Sequence, residues 1–323
     1  MKLLKGFLYL ILTFLYVWVS SVILVFHGPF PSLKSYVIGM ISTSMHSQYL
    51  EPLSLWTVSL DKYKPSLMGD LKTNTKKDEE NSKKVRNQYE KITDPTIKIE
   101  DYQAKTFSAK IMLISDPKRV HVAATKYQGD VGQTVSEMVS DNHAVAGING
   151  GGFSDTGYRG TGGIPLGTTI HNGQFLTTSG GSNPMVGFTR EGLLLVGNYT
   201  DQELKDLKVT EALSFGPALV KDGEGVVKGD GGWGYAPRTA IGQKEDGTVI
   251  MIVTDGRGVH GLNNVGASIR DLMNLMLKYG AVNAANLDGG SSTTMVKDGL
   301  LVNEPSDVLG ERKIATSFVV MPE

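Results

Sequence analysis

The sequence contains no cysteine, which excludes disulfides, thiolate metal sites and a cysteine nucleophile. It also has no excess of one charge. Its 32 Lys+Arg stand against 33 Asp+Glu, a formal net charge of −1. That balance argues against nucleic acid as a partner, because phosphate backbones need a basic face. Histidine is sparse, with 6 in 323 residues, and the histidines do not fall at metal-ligand spacing. Glycine is plentiful at 39 residues, but without a collagen period, so it should serve turns and close backbone approaches. Hydrophobic residues at 40% and charged residues at 20% predict that most of the chain folds.

Long apolar runs are confined to the N-terminus. Lys2 and Lys5 precede an uncharged run from Gly6 to Phe26, which matches the roughly 20 residues that cross a bilayer as a helix. The basic flank predicts a cytoplasmic N-terminus and an exported remainder. A cleaved signal peptide is the rival reading, but no A-x-A-like site follows the run before His27-Gly28-Pro29. The expected organisation is a cytoplasmic stub and signal anchor over 1–27, a juxtamembrane segment and linker over 28–96, and a single catalytic domain over 97–323. Met45-His46-Ser47-Gln48-Tyr49-Leu50 reads as a membrane-proximal helix or a strap. Asp70 to Lys91 mixes both charges with few apolar residues and reads as a solvated linker.

From Ile97 the pattern predicts many strands, few helices and no repeat. The fold class is α+β, with helices packed on mixed sheets. Phe107 to Ile114 and Arg119 to Thr125 read as a pair of strands around Asp116-Pro117. Further strands are expected at 143–149, 185–189, 193–196, 213–220, 239–243, 249–254, 281–288, 293–296 and 316–321. A short helix is expected at 134–139. Ser268 to Tyr279 is the clearest helix: Ile269, Leu272, Met273 and Met276 share one face, Ser268 and Asp271 suggest a capping box, and Gly280 ends it. His171 stands before Asn172-Gly173 in an expected hairpin turn, as a polar or turn residue.

Three polar clusters end apolar strands, where loops hold chemistry on a rigid frame. Asn149 leaves a buried strand into Gly150, Gly151 and Gly152, which admits a ligand or another backbone. No Gly-Lys-Ser/Thr follows, so this is not a P-loop. Arg238 enters an apolar strand, either paired or presented to an anion, and Val249 to Thr254 ends in Asp255-Gly256-Arg257. Asp288 is followed by Gly289, Gly290, Ser291, Ser292 and Thr293. A carboxylate, free amides and short hydroxyls in series suit a sugar or phosphate.

These clusters together resemble the phosphodiester glycosidases, the family of the animal N-acetylglucosamine-1-phosphodiester α-N-acetylglucosaminidase, in its bacterial membrane-anchored branch. The resemblance spans about residues 105–321. Asn286-Leu287-Asp288-Gly289-Gly290-Ser291-Ser292-Thr293 is its strongest motif. Arg238-Thr239-Ala240-Ile241-Gly242, Asp255-Gly256-Arg257, Pro305-Ser306-Asp307 and Arg312 follow in the family's order. Gly152 departs from it, standing where the animal enzyme begins an aromatic pair.

The resemblance implies hydrolysis of a sugar-1-phosphodiester of the GlcNAc-α-1-phosphate type, outside the membrane, in cell-wall or exopolysaccharide metabolism. Asp288, Asp255 and Arg238 are the expected catalytic residues. Asn149, Gly150, Gly151, Gly289, Gly290, Ser291, Ser292, Thr293, Asp307 and Arg312 are the expected substrate-binding residues. A divalent cation on Asp255 or Asp288 stays open as a cofactor. The expected partners are a glycan phosphodiester and, through the N-terminal helix, a membrane. The competing class is a non-catalytic cell-surface module that binds carbohydrate or teichoic acid.

Overall fold

The computed structural model describes residues 2–30, 34, 37–38, 51–55, 57–58, 71, 73–154, 161–261, 263–307 and 309–323. The 45–50 segment lies outside them. By contact density the chain divides into two units, Met1–Pro65 with Asp230–Tyr235, and Ser66–Gly229 with Ala236–Glu323.

In the first unit, Lys2–Val22 is an α-helix that continues as a wider π turn over Ile23–His27. Leu4–His27 is long and apolar enough to cross a membrane. Phe7, Tyr9, Phe14 and Tyr16 stand exposed along it. A soluble core helix would bury such residues, whereas a lipid-facing one needs them outward. Val22, Phe26, Ile38 and Val58 gather into a small apolar cluster.

The second unit is built on strands. In chain order they begin with β1 (Ile97–Gln103), β2 (Ser108–Ile114), β3 (Val120–Ala124), β4 (Ala146–Asn149), β5 (Phe153–Ser154) and β6 (Ile164–Pro165). There follow β7 (Thr169–His171), β8 (Gln174–Thr177), β9 (Asn183–Thr189), β10 (Leu194–Tyr199), β11 (Val209–Ser214), β12 (Ala218–Lys221) and β13 (Glu224–Gly225). The last are β14 (Thr239–Lys244), β15 (Val249–Thr254), β16 (Ala281–Leu287), β17 (Met295–Lys297), β18 (Leu300–Leu301) and β19 (Thr316–Val320).

One sheet has seven strands in the order β1-β2-β15-β14-β16-β12-β13. Two five-stranded sheets run β10-β9-β11-β7-β8 and β18-β17-β4-β19-β3. A common core takes Met112, Met251 and Leu287 from the first, Val186 and Leu194 from the second, and Ile148 and Phe318 from the third. All six residues of β15 are buried, with Val249, Met251 and Val253 in the common core, and five of the six are apolar, so the strand reads as an apolar run.

The α+β class holds, with helices packed on sheets. The sheets, expected to be mixed, pair antiparallel throughout the described ladders. Two of the expected strands also differ in the structure. β2 and β3, read as a pair, enter different sheets. The apolar run 213–220 is divided between β11 and β12 by Gly216-Pro217, since proline has no N–H for a ladder.

The Ile269–Lys278 helix carries the expected Ser268–Asp271 capping box and lies on β12 and β16. Gly242 on β14 lets it come close: a Cβ there would sit 2.9 Å from Met276 Sδ. The expected helix near 134–139 is Val135–Asp141, capped by Thr134 and Glu137.

The charged segment read as a linker is the largest correction in this unit. Thr75–Tyr89 is a helix, and Asp78, Ser82 and Tyr89 on it are buried. These residues and Val85 recur at four, three and four positions, one face of a helix. That face is mostly polar, so apolar periodicity does not reveal it. Tyr199 Oη donates to Asp78 at 2.7 Å and Lys221 Nζ at 2.9 Å. Tyr89 is 1% exposed. The folded unit therefore reaches upstream of Ile97.

Candidate active site

β14 pairs with β15 on one side and β16 on the other, setting Thr239 between Val253 and Leu287. One residue past these positions, Arg238, Thr254 and Asp288 reach the same edge of the sheet. Asp288 closes an apolar strand, and the chain then turns through a short 3-10 helix at Gly290–Ser292. Gly290 has φ +62, a conformation that disfavours a side chain. A Cβ on it would lie 2.8 Å from Arg257 Nη2, so the glycine leaves room for that guanidinium over the turn.

Asp288 is part-exposed. Burial raises its pKa above the ordinary carboxylate value, opposed by a hydrogen bond from Ser292, the charge of Arg312, the Gly289 amide and Arg238. Arg238 is 3% exposed. Its Nε donates to the Ala267 carbonyl at 3.1 Å. Burial lowers its pKa to about 10, reinforced by the charge of Arg257 and opposed by Asp288. It stays protonated at neutral pH. Arg312 donates to Ser291 Oγ at 2.9 Å and lies over the Phe153 ring, 5.1 Å from its centroid. Arg238 and Arg312 thus both act on the Asp288 carboxylate, with Arg257 beside Gly290 and close enough to Arg238 to repel it, an arrangement that suits an anion better than a divalent cation.

Asn149 joins this frame from inside. Its Nδ2 donates to the Asp288 carbonyl at 2.6 Å, and its Oδ1 accepts from Thr239 Oγ1 at 2.7 Å and Thr294 N at 3.1 Å. It is fully buried and ties β4 to the strand ends that carry Arg238 and Asp288. Gly150 and Gly151 pass where Cβ atoms would come within 2.8 Å of Thr316 and 3.0 Å of the Ser214 carbonyl. Both therefore lie in close contact with neighbouring chain. The Gly290 and Ser292 amides, expected to face an oxyanion, donate to Pro237 O and Gly289 O. A Cβ on Gly289 would lie 2.8 Å from Pro237 O. Thr293 is 1% exposed and its hydroxyl has no hydrogen-bond partner among the described residues. Asp307 accepts from Leu309 N at 3.0 Å in a local turn.

Asp255 lies apart from Asp288. Two strand spacings separate their backbones, roughly 10 Å. One Asp255 oxygen accepts from Ser108 N at 2.6 Å, and the other is 3.3 Å from His260 Nε2. Both residues line a cavity of about 660 Å³ with Tyr102, Gln103, Asn303 and Glu304. Sequence reasoning missed His260 and gave Arg257 no role. Their signal was the loop Asp255-Gly256-Arg257-Gly258-Val259-His260, a glycine-spaced run of polar residues after a buried strand.

The family model for phosphodiester glycosidases matches residues 142–321. An uncharacterized SPbeta prophage-derived protein of Bacillus subtilis, YomE, is 28% identical over 230 residues, covering 68% of this chain and 34% of its own length. The bovine (Bos taurus) N-acetylglucosamine-1-phosphodiester α-N-acetylglucosaminidase is 28% identical over 193 residues, covering 54% of this chain and 35% of its own. This chain therefore spans about a third of the length of these curated relatives. In fold, it resembles the zebrafish catalytic domain of that enzyme, described as auto-inhibited by its pro-peptide. The TM-score is 0.58 at 23% identity, covering 71% of this chain and 83% of that one. With more than half of its residues matched by the family model, the chain belongs to the phosphodiester glycosidase family.

Proposed function

We propose that this protein hydrolyses a sugar-1-phosphodiester of the GlcNAc-α-1-phosphate type, between the anomeric carbon and the phosphate oxygen. The observation that carries the reading is one carboxylate, Asp288, at the end of a buried strand and under the charges of Arg238 and Arg312, with Arg257 over the adjoining Gly290 turn. Phosphate is already a good leaving group, so it needs charge neutralisation more than a strong acid. The guanidinium groups supply that charge. Water bonds to C1 as the C1–O bond breaks. The bonding pair leaves with the phosphate, and the water proton passes to Asp288 or to solvent. The Asp288 carboxylate also faces the positive charge that develops at C1. Asp255, held by Ser108 and facing His260, is the supporting carboxylate.

The Leu4–His27 helix serves as a single-pass anchor in this reading. The N-terminus stays in the cytoplasm and the catalytic unit outside, where cell-wall or exopolysaccharide phosphodiesters are substrates. The test uses the full chain in detergent with UDP-N-acetylglucosamine or a synthetic α-GlcNAc-1-phosphodiester, with and without EDTA, following free sugar. Release that disappears in Asp288→Asn is the expected result. Saturable binding of sugar phosphates or wall polymers without any release would replace it with a binding module.

A further inference from the structure

Away from Asp288, three residues distant in sequence meet where two sheets join. His121 lies on β3, while His171 and Glu211 lie on β7 and β11 of the other five-stranded sheet. Their ligand atoms all fall within 4.8 Å of one another. His121 Nδ1 is 3.1 Å from Glu211 Oε1, and His171 Nδ1 is 3.1 Å from Oε2. We propose that His121, His171 and Glu211 form a binding site for a divalent transition metal of the zinc type, separate from the catalytic residues.

Two imidazoles and a carboxylate are a zinc donor set, and bonds of about 2.1 Å place tetrahedral neighbours roughly 3.4 Å apart. The observed separations need little rearrangement to admit an ion. The carboxylate is fixed in advance: Val122 N donates to Oε2 at 2.7 Å and Asn172 N to Oε1 at 2.9 Å. Its side chain is 4% exposed, whereas the two rings are 30% and 34% exposed. An ion therefore has a way in and a rigid acidic floor. The ring of His171 is also held from behind. Its Nε2 lies 3.0 Å from the Asn172 side-chain amide. The amide oxygen and nitrogen exchange by a flip. With the oxygen turned inward, Asn172 accepts from Nε2–H and leaves Nδ1 free to ligate, as outer partners of metal-bound histidines do. A cavity of about 250 Å³ lined by His121, Asn172 and Glu211 has room for water to complete the coordination.

The test takes the full chain in detergent, without a polyhistidine tag, stripped with EDTA and dialysed. Co(II) and Zn(II) alone are the probes. The expected result is one Co(II) per chain with the visible bands of a four-coordinate site, displaced by Zn(II), and a metal-dependent rise in Tm. His121→Gln and His171→Gln each abolish it, and Asn172→Gly weakens binding about 10- to 100-fold. His260→Gln leaves it intact. No stoichiometric binding, or binding that survives both His121→Gln and His171→Gln, overturns the proposal. In that case the three residues are a hydrogen-bonded joint between sheets. Glu211→Gln is not used, because its carboxylate also holds Val122 and Asn172.

Discussion

At Asp288 the protein keeps a carboxylate where it is unfavourable to ionise. Its folded pKa lies above the unfolded value of 3.8, chiefly through burial. For such a group, the stabilising contribution is full below pH 3.8 and is lost as pH rises through the folded pKa. Asp288→Asn removes that loss. Its Tm at neutral pH is therefore expected to equal or exceed that of the parent, and the difference should close in acid. Thermal scans across pH check this. Turnover in the same variant is expected to fall on the order of 10³-fold, measured as free sugar. Asp288→Asn with near-parental turnover would remove it from the chemistry. Asp255→Asn is expected to lose less, because Asp255 stands two strands away. At Gly290, alanine meets both a positive φ and Arg257. We expect Gly290→Ala to cost about 1–2 kcal/mol and to raise KM for the phosphodiester. An unchanged KM would show that Arg257 does not touch substrate.

The Thr75–Tyr89 helix shows how an element can hide in a charged sequence. Its 15 residues include Lys83 and Glu79 on the solvent face, paired at 2.7 Å, and Asp78 on the buried one. Composition cannot distinguish these. Only the partners can, since Lys221 and Tyr199 lie 143 and 121 residues further on. Breaking a buried pair from one side strands a charge, so Asp78→Ala is expected to cost about 3–5 kcal/mol by denaturant unfolding. Tyr89→Ala is expected to cost a similar amount through its lost packing. Lys83→Ala, on the exposed side, should leave the midpoint where it is. The opposite case is Ile269–Lys278, whose apolar spacing and Ser268–Asp271 box make it legible from sequence alone.

At the scale of the molecule, the boundary of the folded unit is a testable quantity. A fragment beginning at Ser66 retains the Thr75–Tyr89 helix, and one beginning at Ile97 uncovers Tyr199, which is 1% exposed in the intact chain. The shorter fragment is expected to melt lower or to aggregate, by comparison of soluble yield and Tm. Equal stability of the two would make the helix an ornament. What the sequence determined by itself is whatever depends on near neighbours. That includes the apolar N-terminal helix, the strands with unbroken apolar runs, the capped helix, and the family motif around Asp288. Tertiary structure alone decided which strands pair, that Asn149 braces the frame from inside, and that Asp255 faces His260 across from Asp288. It also decided that His121, His171 and Glu211 meet at all. Local pattern records which face of an element is buried, but not against what. Charges and hydrogen bonds between distant residues acquire their meaning only when the sheets bring them within a few ångströms.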